Sequence, residues 1–329
     1  MSIKHVLSKE RINEITSSFA SYGTQETLNI YGIQEETLKR YLRKYRSLYG
    51  KEAYENIILA GKMRNKYSKK EIERLVSDKS TGLSEINIET VRLKGNNSIK
   101  FAVLSDLHLG SIFTSDTFVR EAIEYINNLD LDFVALTGDI TEGMSNREGH
   151  VYELSHIGYA AQKEYAISLL SQIKHKIFAI SGNHDLWYYK QMGARVVKDI
   201  CDAIPNATFL GEDFATLRIP NGPDIGLWHG GSDGGGSYAR SYRMQKIIES
   251  IDVECRPQIL LTGHDHKYVS IYTGGVYGLG CGSMQSQSNW MKGKRLEANT
   301  GFITATANFE GDKIIQFNHT FMMPSFLGK

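Results

Sequence analysis

The first eighty residues carry apolar side chains at the spacing of buried helix faces. Ile12 and Phe19 would lie on one side of a first helix, and Gly23 and Gly32 interrupt the pattern. Four helices are predicted in this part of the chain: Ser8 to about Ser21, about residues 25–30, Gln34–Leu48 and Lys69–Val76. We therefore expect a small all-α domain over residues 1–83.

From about Glu85 the period changes to that of strands. Five short apolar runs follow along the chain: Ile99–Leu104, Phe133–Leu136, Ile177–Ile180, Ile225–Trp228 and Ile259–Leu261. Helical stretches over Ser115–Asn127 and Gly158–Lys174 separate the first three runs, and strands that alternate with helices predict an α/β domain. Counting strands suggests a plain doubly wound sheet, with residues 84–329 as one domain.

A polar cluster follows each of these five runs directly. The clusters are Ser105-Asp106-Leu107-His108, Thr137-Gly138-Asp139, Ser181-Gly182-Asn183-His184-Asp185, His229-Gly230-Gly231 and Thr262-Gly263-His264-Asp265-His266. Ligands bind at the carboxyl ends of strands in open α/β sheets, so five loops from neighbouring strands should meet at one rim. Glycine beside the polar residues allows the backbone to turn sharply there. The pattern predicts one composite site.

The donor types in these clusters suit metal ions. Asp and Asn oxygens together with His nitrogens, and without cysteine, favour divalent Mn, Fe, Co, Ni or Zn over Ca or Mg. A carboxylate can bridge two cations, and such pairs, about 3.5–4 Å apart, clamp the attacking and leaving oxygens of an in-line displacement at phosphorus. We therefore expect two divalent ions, with Mn favoured, and phosphoester hydrolysis.

The order D-x-H, G-D, G-N-H-D, H and G-H-x-H resembles that of the calcineurin-like metallophosphoesterases, over about residues 95–275. That family includes double-strand-break repair nucleases and various phosphodiesterases. The resemblance implies an αββα sandwich of two sheets in place of one doubly wound sheet. It also implies two ligand sets that share one bridging carboxylate: Asp106, His108 and His266 for one metal, Asn183, His229 and His264 for the other, and Asp139 between them.

The resemblance also implies how the reaction proceeds. A hydroxide that bridges the metals would attack phosphorus, His184 would donate a proton to the leaving oxygen or stabilise transition-state charge, and Asp185 would orient His184. Two branches of the family fit poorly. The segment after Asp139 lacks the Asp-Arg pair of the serine/threonine protein phosphatases, and Glu142 stands where purple acid phosphatases have a metal-binding Tyr.

Four residues near the predicted rim could contact a substrate. Arg147 and His150 lie in the long connection after the second strand, and loops near a rim often carry specificity. Tyr188 follows the Asn-His-Asp motif, and Arg240 follows the fourth cluster among aromatic residues. Aromatic and arginine side chains can stack bases and hold phosphates, although packing at a helix start is the alternative.

The second and third predicted helices, joined by a turn at Gly32, look like a helix-turn-helix. The third helix carries a basic side: Lys39, Arg40, Arg43 and Lys44. Residues 1–83 hold 16 basic and 10 acidic residues, a balance of +6, whereas the whole chain has a net charge of +1. These features favour DNA or RNA as a partner, although small helical modules also serve for dimerisation or docking.

The leading interpretation is a dinuclear phosphodiesterase that cleaves nucleic acid, with DNA favoured, as a repair-type nuclease does. One alternative is a phosphatase or phosphodiesterase for small nucleotides whose N-terminal helices serve assembly, for example as a homodimer. The other is a DNA-binding regulator with a non-catalytic phosphoesterase domain. Three widely spaced cysteines favour reduced thiols in the cytoplasm. No apolar run approaches the roughly 18–20 residues of a membrane span, so no membrane partner is expected.

Overall fold

The structure, a computed structural model, describes residues 8–66, 87–91, 93, 97–230 and 241–324. The chain divides into two compact units, Met1–Ser84 and Glu85–Lys329. The predicted helix Lys69–Val76 lies outside the described residues. No described helix combines the length and the apolar character needed to cross a membrane.

The first helix of the N-terminal unit begins and breaks where the sequence predicts. In α1 (Lys9–Tyr31), the hydroxyl of Ser8 accepts the backbone N–H of Arg11 at 3.1 Å, which satisfies one of the unpaired N–H groups of the first turn. The backbone is non-helical at Gly23, and the helix ends at Gly32, whose φ of 59° is left-handed. Both predicted breaks are therefore confirmed.

The predicted end of the next helix near Leu48 is confirmed. In α2 (Glu35–Lys66) the backbone is again non-helical at Gly50, and a further helical stretch, which was not predicted, follows this kink. The two helices pack through one apolar cluster, and its buried members are Ile12, Ile15, Phe19, Leu38, Tyr41 and Leu42. This packing leaves the opposite side of α2 to solvent.

Twelve described strands form two six-stranded sheets in the second unit. Their bounds are β1 Asn87–Thr90, β2 Ser98–Leu104, β3 Phe133–Thr137, β4 Lys176–Ser181, β5 Ala207–Glu212, β6 Phe214–Arg218, β7 Ile225–Trp228, β8 Ile259–Thr262, β9 Tyr268–Thr273, β10 Val276–Cys281, β11 Phe302–Glu310 and β12 Lys313–Met322. The orders are β1-β6-β7-β8-β10-β9 and β12-β11-β2-β3-β4-β5. Strands β2 to β5 are parallel neighbours, as are β7, β8 and β10.

The central strands are buried on both faces, which explains why their sequences are continuous apolar runs. In β2, Phe101 and Val103 point to the core between the two sheets, whereas Ala102 and Leu104 point to the core on the other face. The same alternation holds in β3 and β4. One apolar layer thus joins the two sheets, and a second joins the β2–β4 sheet to its helices.

Helices cover the outer faces of the two sheets. The helices of this unit are α3 Asp116–Asn127, α4 Tyr159–Leu170, α5 Leu186–Met192, α6 Val196–Ala203, α7 Tyr242–Ser250 and α8 Asn289–Gly293. Residues of α3, α4 and α6 pack on the outer face of the β2–β4 sheet, and Met244 and Ile248 of α7 pack on Leu260 and Val276 of the other sheet. The αββα sandwich is therefore confirmed. The single doubly wound sheet suggested by strand counting is wrong, because β7 and β8 pair in a sheet of their own.

Candidate metal centre

Five loops from two different sheets meet at one place. The loops after β2, β3 and β4 come from one sheet, and those after β7 and β8 come from the other. The backbone N–H of His264 donates to both carboxylate oxygens of Asp106 at 3.0 Å, across 158 positions of sequence. The structure thereby brings together all seven predicted ligands: Asp106, His108, Asp139, Asn183, His229, His264 and His266.

The backbone at the predicted ligands is unusual. Five of the seven have left-handed φ values: Asp106 49°, His108 46°, Asp139 49°, His264 76° and His266 53°. This region is uncommon for residues with a Cβ, and each such residue stores strain that the surrounding structure must offset. Strain concentrated in one ligand set is typical of a functional site.

Asp106, His108 and His266 form the first donor group. Nε2 of His108 lies 3.1 Å from Nε2 of His266, which in turn lies 3.3 Å from Oδ1 of Asp106. The hydroxyl of Ser105 donates to Oδ2 of Asp106. All three donor side chains are buried, so their lone pairs are shielded from water.

Asn183, His229 and His264 form the second donor group, and Asp139 lies between the two groups. Oδ1 of Asn183 lies 2.6 Å from Nδ1 of His264 and 3.2 Å from Nε2 of His229. Oδ2 of Asp139 lies 3.1 Å from Nε2 of His229 and 3.8 Å from Nε2 of His108. Nδ1 of His229 donates to the carbonyl of Thr137 at 2.7 Å, which turns Nε2 towards the other donors.

The buried carboxylates of the site favour binding of a cation. Burial opposes ionisation of Asp106, but His266 and His229 bring its pKa down to about 2. Burial lowers the pKa of His229, but Asp139 outweighs this effect and raises it to about 10. In the absence of metal, His229 therefore holds a proton that a cation can replace.

The residues present fit a pair of divalent ions. Nδ1 of His266 is buried without a hydrogen-bond partner among the described residues, and the converging nitrogens and carboxylate oxygens offer lone pairs to a common centre. His/Asp donor atoms form three groups within 4.8 Å of one another. Two carboxylates, one amide and four imidazoles without a thiolate are the donors expected for Mn, Fe, Co, Ni or Zn.

The site opens on one side. Asn183, His184 and His264 are partly exposed, whereas the other ligands are buried. Trp187 lies beside this opening, with its ring centroid 4.0 Å from that of His184. A phosphoester can therefore approach the two donor groups from the side on which His184 stands.

His184 is held by Glu142 and not by Asp185. Nδ1 of His184 donates to the backbone carbonyl of Glu142 at 2.8 Å, and the backbone N–H of His184 donates to Oδ1 of Asp139 at 2.8 Å. Because a carbonyl only accepts, Nδ1 carries the proton, and Nε2 is the nitrogen left for substrate.

Asp185 organises the backbone beneath the site. Its buried carboxylate accepts the N–H groups of Ile140 at 3.1 Å, Thr141 at 2.8 Å and Gly182 at 2.9 Å, together with the hydroxyl of Thr141 at 2.8 Å. The three bonds from Ile140 and Thr141 tie the loop after β3 to the loop after β4, and the bond from Gly182 lies within the second loop. The predicted orientation of the His184 ring by Asp185 is thus replaced by a bond from His184 to Glu142.

Glu142 itself was missed by the sequence reasoning, which treated it only as a departure from other branches. Its carboxylate is buried and lies against His108, His150 and Gln285. Burial opposes its ionisation, but His108 and His150 hold its pKa well below the ordinary value. The available signal was its place three residues after Asp139, in the loop of a predicted ligand.

The four predicted substrate residues differ in exposure and contacts, as far as the structure describes them. Tyr188 is 1% exposed and His150 is 1% exposed, so neither side chain offers a surface to substrate. Arg147 is exposed, and its guanidinium is paired with the carboxylate of Glu153. Arg240 lies outside the described residues. Burial therefore argues against direct substrate contact for Tyr188 and His150, and the roles of Arg147 and Arg240 stay predictions.

The predicted basic face of α2 is solvent-exposed at all four positions: Lys39, Arg40, Arg43 and Lys44. Lys39 is partly neutralised, because its ammonium lies 3.1 Å from Glu35 and 2.9 Å from Glu36. The remaining three cations keep the face basic.

Comparison with known proteins agrees with this geometry. The sequence profile described as calcineurin-like phosphoesterase matches residues 99–268, which is more than half of the 329-residue chain. The match includes all seven ligands and His184. No curated protein sequence matches the chain.

Solved structures similar to the chain have low identity to it. An archaeal phosphodiesterase is 15% identical with a TM-score of 0.40 and covers 68% of this chain and 100% of its own. Vps29 from Cryptosporidium parvum is 16% identical with a TM-score of 0.36 and covers 69% and 100%. Zinc-bound Vps29 from Entamoeba histolytica is 15% identical with a TM-score of 0.36 and covers 68% and 99%. On the profile match, this chain belongs to the calcineurin-like phosphoesterase family and is a metal-dependent phosphoesterase.

Proposed function

We propose that this phosphoesterase hydrolyses phosphodiester bonds of nucleic acid, with DNA as the favoured substrate. The observation that carries the proposal is the exposed basic face of α2 in a unit separate from the metal centre. Clustered cations on one helix face attract a phosphate backbone irrespective of its sequence. The turn at Gly32 between two packed helices supports a helix-turn-helix, in which the second helix would enter the major groove.

The metal centre would supply the hydrolysis. Two divalent cations, for which we propose Mn²⁺, would be held here and would supply an activated water and positive charge beside the phosphoryl oxygens. One ion would be held by the first donor group and the other by the second, with Asp139 shared. Ligands drawn from two sheets with a common apolar core place these donors rigidly, because the loops cannot separate without breaking that core.

His184 would protonate the leaving oxygen. Nδ1 donates its proton to the carbonyl of Glu142, so a second proton, on Nε2 of the imidazolium form, would be the one transferred. Its ring is packed against Trp187 and stands edge-on to His108 at 4.5 Å between centroids, which restricts its rotation. A positioned acid of this kind contributes roughly 10²–10⁴-fold to the rate.

The test compares substrates and charge variants of the full chain. We would incubate the Mn²⁺-loaded protein with labelled single-stranded DNA, double-stranded DNA and RNA, alongside bis-p-nitrophenyl phosphate. In Arg40→Gln/Lys44→Gln, kcat/KM on DNA should fall and the slope of log affinity against log salt should flatten by about 1 per lost phosphate contact. Hydrolysis of the small ester should not change, because it needs only the metal centre.

The matched control removes two exposed lysines from the other unit, Lys198→Gln/Lys313→Gln, with the same loss of charge. This control should leave both activities unchanged. Turnover of the small ester without cleavage of any nucleic acid would refute the proposal and favour a small-nucleotide substrate. DNA binding without turnover of any phosphoester would favour a non-catalytic regulator.

A further inference from the structure

A buried carboxylate lies behind the first donor group. Oε2 of Glu142 lies 2.9 Å from Nδ1 of His108, on the side of that imidazole opposite to Nε2. Nε2 of His108 faces His266 and Asp139. Glu142 is 6% exposed, so this contact is shielded from water. One imidazole therefore stands between the donor group and the Glu142 carboxylate.

Two neutral donors hold the carboxylate in turn. The backbone N–H of Ser145 donates to Nδ1 of His150 at 3.1 Å, so the proton of His150 is on Nε2, which donates to Oε1 of Glu142 at 3.0 Å. The amide of Gln285 donates to Oε2 at 3.0 Å and to the hydroxyl of Ser111 at 2.8 Å. His150 is only 8 positions from Glu142, whereas Gln285 is 143 positions away.

The orientation of these bonds points to a function beyond packing. A buried carboxylate is costly unless donors satisfy it, and an apolar side chain would fill the same space without that cost. A carboxylate on the far nitrogen of a metal-bound imidazole fixes the tautomer of that imidazole, its ring angle and its basicity. Glu142 is placed to act on His108 in this way, through an ion-pair contact at 2.9 Å that falls short of hydrogen-bond geometry in this structure.

We infer that Glu142 is a positioning residue for the metal ligand His108, and that His150 and Gln285 keep Glu142 in place. The inference rests on the proposed metal pair, and it gives His150 a structural link to the metal centre where the sequence suggested contact with substrate. The turn that carries His150, residues His150–Glu153, is thereby coupled to the first donor group.

The test measures metal binding directly. Mn²⁺ would be titrated calorimetrically into the metal-stripped full chain, and the two dissociation constants would be compared between wild type and Glu142→Gln. The variant keeps the size of the side chain but loses the charge. We expect one of the two constants to weaken by about 10–100-fold, the range usual for loss of a group that holds a metal ligand. The other constant should stay near that of wild type.

Two further variants make the result specific. His150→Leu removes the donor to Oε1, and it should weaken the same constant and combine non-additively with Glu142→Gln, because both act on His108 through one chain of contacts. Glu153→Gln is the control, because it removes a charge from the same turn at a side chain that pairs with Arg147 and not with a predicted metal ligand among the described residues, and it should bind as wild type does.

The outcomes separate this inference from the proposed function. If wild type binds two ions and a folded Glu142→Gln binds both with unchanged constants, the positioning role is overturned while the phosphodiesterase proposal stands. If Glu142→Gln does not fold, His150→Leu decides, and unchanged constants in that variant overturn the inference. If wild type binds no Mn²⁺, both the inference and the proposed manganese centre are overturned.

Discussion

Substitution of Gly263 by alanine should disable the second donor group without unfolding the protein. An added Cβ would lie 2.6 Å from the carbonyl oxygen of Thr137, 2.7 Å from the hydroxyl of Ser105 and 2.9 Å from Nδ1 of His229. The first and the third are the two atoms of the bond from His229 to Thr137 that turns Nε2 of His229 towards the site. The methyl group would therefore intrude on that bond.

The size of the effect follows from the space required. Ordinary contact begins at 3.4 Å, so a gap of 3.4 − 2.6 = 0.8 Å must be opened against the backbone of a central strand. Overpacking of this kind costs about 1–3 kcal/mol of stability. Loss of the group that orients a ligand weakens metal binding by about 10–100-fold. We expect one Mn²⁺ constant to weaken in this range, with a matching loss of hydrolysis at limiting metal.

The control for Gly263→Ala is Gly293→Ala, because nothing lies within 4 Å of a Cβ at Gly293 and the residue is at the end of α8. Calorimetric Mn²⁺ titration, thermal unfolding and hydrolysis of bis-p-nitrophenyl phosphate would be measured for both variants. The control should match wild type. A Gly263→Ala protein with two wild-type Mn²⁺ constants would refute the reasoning that His229 depends on its bond to Thr137.

Three other outcomes are expected. His184→Ala should lower kcat by roughly 10²–10⁴-fold with both metals retained; loss of metal measured by elemental analysis would contradict its assignment as the proton donor. In EDTA, the melting temperature should fall as pH rises from 6.5 to about 10, because the raised pKa of His229 beside Asp139 stabilises the folded state only while the proton is bound. Mn²⁺ should weaken this dependence of the melting temperature on pH. A melting temperature in EDTA that is constant over this pH range would contradict the stabilising role of the His229 proton. Asp185→Asn should lower the free energy of unfolding in urea by about 1–3 kcal/mol, because N–H groups lose their acceptor; unchanged stability with lost turnover would instead restore its predicted role beside His184.

Local sequence patterns were enough to find the candidate metal ligands. Each predicted strand is buried on both faces, so its sequence is a continuous apolar run, and the polar cluster after it is visible without knowledge of the fold. The helix limits at Ser8, Gly23 and Gly32 were also predictable, because capping and left-handed backbone depend on neighbouring residues only. The helical stretch of α2 after the break at Gly50 was not, because its apolar residues are only partly buried against the cluster that α1 forms with the first part of α2.

Contacts between distant segments could not be predicted from such patterns. Whether β7 joins the sheet of β4 or forms another sheet with β8 depends on which strands pair. An apolar run does not indicate the strand with which it pairs. Glu142 shows the same limit at the level of one side chain, because its neighbours His108, His150 and Gln285 come from three separate loops. Burial of Tyr188 likewise depends on how its helix packs.

The amino-acid sequence alone identified the candidate metal ligands and the order in which they occur, because donor chemistry and strand-end position are local properties. The tertiary structure decided which sheet each ligand comes from, which group holds His184, and which carboxylate stands behind His108. Those relations arise when the two sheets close on a common core, since only then do groups more than a hundred residues apart come within hydrogen-bonding distance.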